Sequence, residues 1–307
     1  MQRIFISTSS FGSFDLKPLE LLKAHNINFE LNPLKKTLTE DELIGFAKEK
    51  DGLVAGTEPL TERVFKECKK LKVISRVGVG LDNVDIAAAE KKGIKVFNTP
   101  DGPTDAVAEL TLGLIINLLR PIINSDGNIR KGIWKKEMGN ILYKKNVGIV
   151  GFGKIGTKVT EMLKVFNCRI FVYDPFVTSN SNKFTFVKTL EELLENSDIV
   201  SLHLSYSKEK HHMINKKMLE LMRHNAILIN TSRGGLIDED ALYECLTKRK
   251  IAGAALDTFE MEPYTGKLCQ LNNVILTPHI GSYAKESRIR METDAVKNLI
   301  KGFGLSV

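Results

Sequence analysis

Three polar residues far apart in the chain carry the side chains needed to move a proton and grip a carboxylate: Arg233, Glu262 and His279. Arg233 stands in Asn230-Thr231-Ser232-Arg233-Gly234-Gly235, where an apolar run stops at paired glycines. A guanidinium there can form a two-pronged pair with a substrate carboxylate and polarise an adjacent carbonyl. His279 follows Glu262 by 17 residues, inside Thr277-Pro278-His279-Ile280-Gly281. Oxidising a secondary alcohol needs a base for the hydroxyl proton, and an imidazole titrates in the right range, about 6.5 unperturbed. A carboxylate beside it raises that value and fixes the tautomer, so Glu262 is read as the partner of His279. Taken singly, each residue also has an ordinary reading, as a loop Arg, an exposed Glu or a structural His. The other five histidines, His25, His203, His211, His212 and His224, lack this setting.

A second constellation binds rather than reacts. Val147-Gly148-Ile149-Val150 runs into Gly151-Phe152-Gly153-Lys154-Ile155-Gly156, and a helical pattern follows with Ile155, Val159, Met162, Leu163 and Phe166 on one face. G-x-G-x-x-G alone is weak, but between a strand and a helix each glycine has a task. Gly151 permits the tight turn, Gly153 lets backbone approach a pyrophosphate, and Gly156 lets helix and strand pack closely. The helix start, at Lys154 and Ile155, offers unpaired amides and the positive end of a dipole to phosphates. The next strand ends at Asp174, 18 residues beyond the last glycine. A carboxylate there accepts ribose hydroxyls and repels a 2′-phosphate, so the cofactor expected is NAD and not NADP.

Elements that can hold these residues alternate almost from end to end. Strands are expected at 3–7, 52–54, 73–75, 96–98, 147–150, 169–173, 199–201, 226–230, 253–255 and 274–276, too many for one small sheet. Thr39 with Glu42 forms a capping box ahead of a helix to Lys50, and further helices are expected from Thr104 to about Leu119 and from Lys285 to Phe303. This pattern predicts α/β architecture with two doubly wound parallel-sheet domains, as does a length of 307 residues. The break Asn98-Thr99-Pro100-Asp101-Gly102-Pro103 is the expected crossover between them.

Composition narrows the class of function. Hydrophobic residues make up 43% and charged residues 26%, as in ordinary globular proteins. The longest apolar run, Leu110 to Leu119, is far short of the roughly 20 residues that cross a bilayer, and the N-terminus carries no secretory h-region. No membrane partner and a cytoplasmic location are expected. Cys68, Cys168, Cys245 and Cys269 form no C-x-x-C pair, so no metal site is expected from them. The net charge of +7 comes from lysines spread along the chain, which argues against nucleic acid and suits an anionic cofactor and substrate.

The ordered motifs together resemble the D-isomer-specific 2-hydroxyacid dehydrogenase family, in its phosphoglycerate dehydrogenase-like branch. They are Ser75-Arg76-Val77-Gly78-Val79-Gly80-Leu81-Asp82-Asn83-Val84-Asp85, Asn98-Thr99-Pro100 with Ala106 to Leu110, the glycine turn, Ser232 to Gly235, Ala255-Leu256-Asp257 with Glu262-Pro263, and Thr277 to Gly281. The resemblance implies His279 as acid/base, Glu262 as its partner and Arg233 as the anchor of carboxylate and carbonyl. It implies substrate contacts at Val77, Gly78 and Val79, with backbone amides of Val77 and Gly78 facing the carboxylate. Leu204 would lie on the adenosine side, with Thr231, Asp257 and Gly281 at the nicotinamide end. It further implies a Rossmann cofactor domain, 99–282, inserted in a flavodoxin-like substrate domain, 1–98 plus 283–307, and a homodimer joined through the cofactor domains with an arm around Trp134.

One departure bears on the substrate. Where the phosphoglycerate branch often has an Arg after the strand at 52–54, this chain reads Ala55-Gly56-Thr57-Glu58, which removes a phosphate contact and adds an acid. No regulatory domain follows residue 307, so serine feedback through one is not expected. The reading is an NAD-dependent oxidoreductase interconverting a small anionic D-2-hydroxy acid and its 2-keto acid, with 3-phosphoglycerate as one candidate. A glyoxylate-type reductase and a non-catalytic NAD-sensing protein on the same fold are the alternatives, and fold alone does not separate them. Formate oxidation ranks below these, because that lineage would carry Gln where Glu262 stands.

Overall fold

The computed structural model describes residues 1–177 and 184–306. The chain divides into two compact units, Met1–Pro103 with Ser282–Val307, and Thr104–Gly281.

The first unit alternates strand and helix: β1 (Arg3–Ile6), α1 (Lys17–Ala24), β2 (Asn28–Leu31), α2 (Glu40–Ala47), β3 (Gly52–Ala55), α3 (Glu62–Glu67), β4 (Val73–Arg76), α4 (Ile86–Lys91) and β5 (Lys95–Phe97). Its sheet is parallel, in the order β2-β1-β3-β4-β5. Strands covered on both faces need apolar residues at every position, and alternation sorts them. Phe5, Leu53 and Ile74 point to Leu43, Val64 and Ala89 of α2 to α4. Ile4, Ile6, Val54 and Val73 point the other way. That second face is closed by Leu22 of α1 and by Met291, Ala295, Val296, Leu299 and Ile300 of the last helix, α11 (Lys285–Gly302). The capping box forms as expected, with the Glu42 amide donating to Thr39 Oγ1 and the Thr39 amide to Glu42 Oε2.

The second unit begins with α5 (Thr104–Leu119) and α6 (Ile122–Arg130), then runs β6 (Asn146–Val150), α7 (Lys154–Lys164), β7 (Arg169–Tyr173), β8 (Thr185–Phe186), α8 (Leu190–Asn196), β9 (Ile199–Leu202), α9 (Lys216–Leu221), β10 (Ile227–Asn230), α10 (Glu239–Thr247), β11 (Gly253–Leu256) and β12 (Val274–Leu276). Its parallel sheet has the order β12-β11-β10-β9-β6-β7-β8, a dinucleotide-binding order whose direction reverses between β6 and β9. Val147 and Ile149 pack under α5 and α7 against Ile115, Val159 and Leu163. Val150, Val200 and Leu228 face α8 to α10. α6 buries none of its residues. No single helix among the described residues is long and apolar enough to cross a membrane.

Two strands escape the sequence pattern. β2 and β8 are edge strands; β2 is largely exposed and β8 has two residues, so neither carries the apolar run by which a covered strand is read.

Candidate active site and cofactor turn

The glycine turn leaves β6 at the reversal of strand order. Gly151 has φ +95°, and a Cβ there would stand 2.5 Å from the carbonyl oxygen of His203 and 2.7 Å from Leu204 Cδ2. A Cβ on Gly156 would meet the Gly151 carbonyl oxygen at 2.2 Å. Both are excluded by neighbouring atoms. Gly153 differs: its Cβ would enter open space, with nothing within 4 Å. It is also the N-cap of α7, and no side chain caps that end. A flat, methyl-free approach to uncapped helix amides is what a pyrophosphate requires. Asp174 closes the turn, its Oδ2 accepting the Phe152 amide at 2.7 Å and its Oδ1 the Phe176 amide at 2.9 Å. The residues present fit a dinucleotide. Beside the turn, burial pushes the His203 imidazole down to about 3, so it is neutral and no acid/base candidate. Its Nε2 lies 2.9 Å from Ser201 Oγ.

The three reactive side chains belong to the same unit, and local packing explains their approach. β10 ends at Asn230, whose Oδ1 accepts the Ser232 amide at 3.0 Å and whose Nδ2 donates to the Arg233 carbonyl at 2.9 Å. Gly234 then lies flat on Phe259, where a Cβ would come within 1.8 Å of backbone carbon. The Phe259 amide donates to Glu262 Oε1 at 3.1 Å, so the Arg233 turn and the Glu262 carboxylate are built on one junction. His279 Nδ1 lies 2.8 Å from Glu262 Oε2 and 3.1 Å from Oε1. Burial favours protonated Glu262, but the His279 bond and charge, the Phe259 amide and the Arg233 charge outweigh it and hold the carboxyl below its ordinary range. The pair stays reachable, with side-chain exposures of 37% for His279 and 39% for Glu262.

His279 adopts φ +53°, a left-handed conformation that costs a non-glycine residue about 1–2 kcal/mol. Asp257 at the end of β11 holds it there. This carboxylate is 1% exposed and accepts Thr277 Oγ1 at 2.7 Å and the Ile280 amide at 2.8 Å on Oδ1, and the Gly281 amide at 2.7 Å on Oδ2. Burial pushes Asp257 upward against these bonds and the His279 charge. Thr231, also buried, lies 3.0 Å from Thr111 Oγ1 of α5.

In the first unit the loop after β4 corrects one expectation. The Val77 amide donates to the Ala55 carbonyl at 2.8 Å and the Gly78 amide to Thr99 Oγ1 at 2.8 Å, so neither N–H faces a ligand. Val77 still extends the sheet pairing of β4, and Gly78, with φ +142°, turns over Arg76. Among the described residues no bond engages the amides of Val79 and Gly80, and Val79 is 40% exposed. Asn98 Nδ2 fixes the Val79 carbonyl at 2.7 Å. Glu58 is corrected too: it is 1% exposed, accepts the Gly56 amide at 3.0 Å and is bonded by Ser7 Oγ, so it braces its own loop instead of offering an exposed acid. The dismissal of the other histidines also fails at one place, since His212 Nε2 is bonded to Glu260.

Comparison with known proteins agrees with this architecture. Residues 112–281 match the family described as D-isomer specific 2-hydroxyacid dehydrogenase, NAD binding domain. The chain is 38% identical over 283 residues to a hydroxypyruvate reductase of Thermotoga maritima, covering 90% of this chain and 92% of that one. It is 41% identical over 271 residues to a glyoxylate reductase of Thermococcus litoralis, covering 84% and 82%. With a D-3-phosphoglycerate dehydrogenase of Methanocaldococcus jannaschii the identity is 40% over 276 residues, 86% of this chain but only 52% of that longer protein. Among solved structures, the TT0316 protein of Thermus thermophilus superposes with a TM-score of 0.89 at 33% identity, covering 98% and 97%. A D-lactate dehydrogenase of Aquifex aeolicus complexed with NAD and lactic acid gives 0.84 at 28% identity, covering 98% and 95%. With the glycine turn, the strand order and these likenesses in agreement, the chain belongs to the D-isomer specific 2-hydroxyacid dehydrogenase family and is an NAD-dependent oxidoreductase.

Proposed function

We propose that this enzyme interconverts a short, unphosphorylated D-2-hydroxy acid and its 2-keto acid, of the glyoxylate and hydroxypyruvate class. The observation that carries the chemistry is the 2.8 Å pair between His279 Nδ1 and Glu262. With Nδ1 engaged, Nε2 is the nitrogen that exchanges a proton with the substrate oxygen, taking it in oxidation and returning it in reduction. Glu262 holds Nδ1 and so fixes the tautomer; Arg233 grips the carboxylate and polarises the carbonyl. Bound NAD supplies the acceptor or donor of hydride. The chain would hold it through Gly151, Gly153, Lys154, Ile155 and Gly156 at the phosphates, Asp174 at the ribose, Leu204 on the adenosine side, and Thr231, Asp257 and Gly281 at the nicotinamide end.

The choice of an unphosphorylated substrate rests on the loop after β3. Ala55, Gly56 and Thr57 have no cationic side chain, and Glu58 is turned inward to the Gly56 amide. None of these four residues offers a phosphate a positive charge. The relatives named as hydroxypyruvate and glyoxylate reductases, aligned over most of their length, support the same reading. Steady-state rates with NADH across glyoxylate, hydroxypyruvate, pyruvate and 3-phosphohydroxypyruvate test it. We expect kcat/KM for glyoxylate or hydroxypyruvate to exceed that for the phosphorylated acid at least tenfold; the reverse preference rejects the assignment.

We also infer a homodimer. α6 and the segment after it expose Ile129, Trp134, Met138 and Ile141, a run of apolar side chains typical of an association surface.

A further inference from the structure

We propose that His211, His212 and Glu260 form a binding site for one exchangeable divalent cation of the Zn2+ class. It lies outside the catalytic pair and uses none of its residues. One ligand atom from each of the three falls within 4.8 Å of the others. Zinc takes imidazole nitrogen at about 2.0–2.1 Å and carboxylate oxygen at about 2.0–2.2 Å, so donors round one ion stand roughly 3–4 Å apart. A modest contraction brings the three into that range.

The local backbone is shaped for this convergence. Consecutive residues ordinarily send their side chains apart, yet His212 takes φ +53° and the two imidazoles stack with ring centroids 3.8 Å apart. The left-handed residue is held by its own amide, which donates to the Gly235 carbonyl at 2.9 Å. Glu260 reaches His212 Nε2 from the segment leading to Glu262. An ordinary ion pair would need only His212 and Glu260. The second imidazole is what the pair leaves unexplained, and it has an orienting partner: Tyr206 Oη lies 3.3 Å from His211 Nδ1, which leaves Nε2 to face an ion. Such a bond to the remote ring nitrogen is how metal-ligating histidines are usually oriented.

Charge supports the same conclusion. The Glu260 amide donates to Glu239 Oε1 at 2.8 Å, bringing a second carboxylate to the junction. Two imidazoles and one carboxylate select ions such as Zn2+, Ni2+ or Cu2+ over Mg2+. Three protein ligands leave a fourth position to water, and with His211 and Glu260 exposed the ion is open to exchange with solvent. His211 is exposed, so its ring can turn onto the ion without repacking.

Equilibrium dialysis of the full chain, stripped of metal, against Zn2+ and separately Ni2+ tests the site. We expect one ion per chain, at least tenfold weaker binding in His211→Ala, and no displacement by millimolar Mg2+. His211→Ala should keep metal-free turnover and thermal stability, which shows that the loss is local. His279→Gln should bind the ion as well as the parent chain, which excludes the catalytic imidazole as its seat. No bound ion, equal binding by His211→Ala, or loss of binding in His279→Gln overturns the proposal. Because the readout is bound metal, failure of the substrate assignment would leave this result untouched.

Discussion

At the scale of single residues the division of labour in the His279–Glu262 pair leads to a paired prediction. His279→Gln keeps shape but cannot carry the proton, so turnover should fall by about 100-fold or more while the NADH dissociation constant stays within twofold. Reduction needs the imidazolium and oxidation the neutral ring, so the parent enzyme should lose reductase activity and gain dehydrogenase activity as pH rises. Glu262 is held ionised below the ordinary carboxylate range by His279, Phe259 and Arg233 against its burial. Its contribution to the pair is therefore complete above its unfolded value and is lost only as pH falls through the lower folded value. Glu262→Gln replaces the carboxylate that holds His279 Nδ1, and kcat should fall about tenfold or more while the NADH dissociation constant stays within twofold. An unchanged kcat in steady-state rates would disprove the role of Glu262. These residues were legible because each stands where an apolar run meets a turn. Val79 was named with Val77 and Gly78, but that the unbonded amides are those of Val79 and Gly80 was not legible, because which amides of a glycine-rich loop are already bonded depends on Ala55 and Thr99, far away in sequence. Glu58 was misread for a like reason: an acid in a polar loop has no sequence mark that says it faces inward to Ser7 and Gly56.

At the scale of elements, the strand-turn-helix unit of β6 and α7 separates fold from affinity. Gly156→Ala would push a methyl into the Gly151 carbonyl at 2.2 Å and part strand from helix. Stability should drop by about 1–3 kcal/mol, as for overpacked sites, together with NADH affinity. Gly153→Ala has room for its methyl within the chain, at a φ of −75° that any residue adopts. Its melting temperature should stay within a few degrees of the parent while NADH binding weakens tenfold or more, since the methyl occupies the approach to the helix amides. Thermal melts beside NADH titrations of both variants check the contrast; equal losses in the two would mean that Gly153 is merely structural. The central strands were readable from apolar runs of four or five residues because helices cover both faces of each sheet. β2 pairs with a single neighbour and β8 does likewise at the far edge, so neither is obliged to be apolar.

At the scale of the whole molecule, exposed apolar surface is concentrated on one stretch. Trp134 is 83% exposed and Met138 98%, close after a helix that buries nothing. Isolated chains rarely tolerate such a run in water. If the proposed dimer forms through this stretch, the parent chain should sediment as a dimer at micromolar concentration and Trp134→Glu towards a monomer; a monomeric parent rejects the dimer, and an unchanged dimer in the variant places the interface elsewhere. A different consequence follows from α11, whose Met291, Val296, Leu299 and Ile300 complete the face of a sheet made from the first hundred residues. On a ribosome adding roughly 5–20 residues per second, the strands of that sheet emerge about 10–40 seconds before the helix that covers them. During that interval Ile4, Ile6, Val54 and Val73 have only α1 and its flanking residues over them, so the earliest-made part of this enzyme is the one most in need of a chaperone while the later-made cofactor unit carries all of its own core.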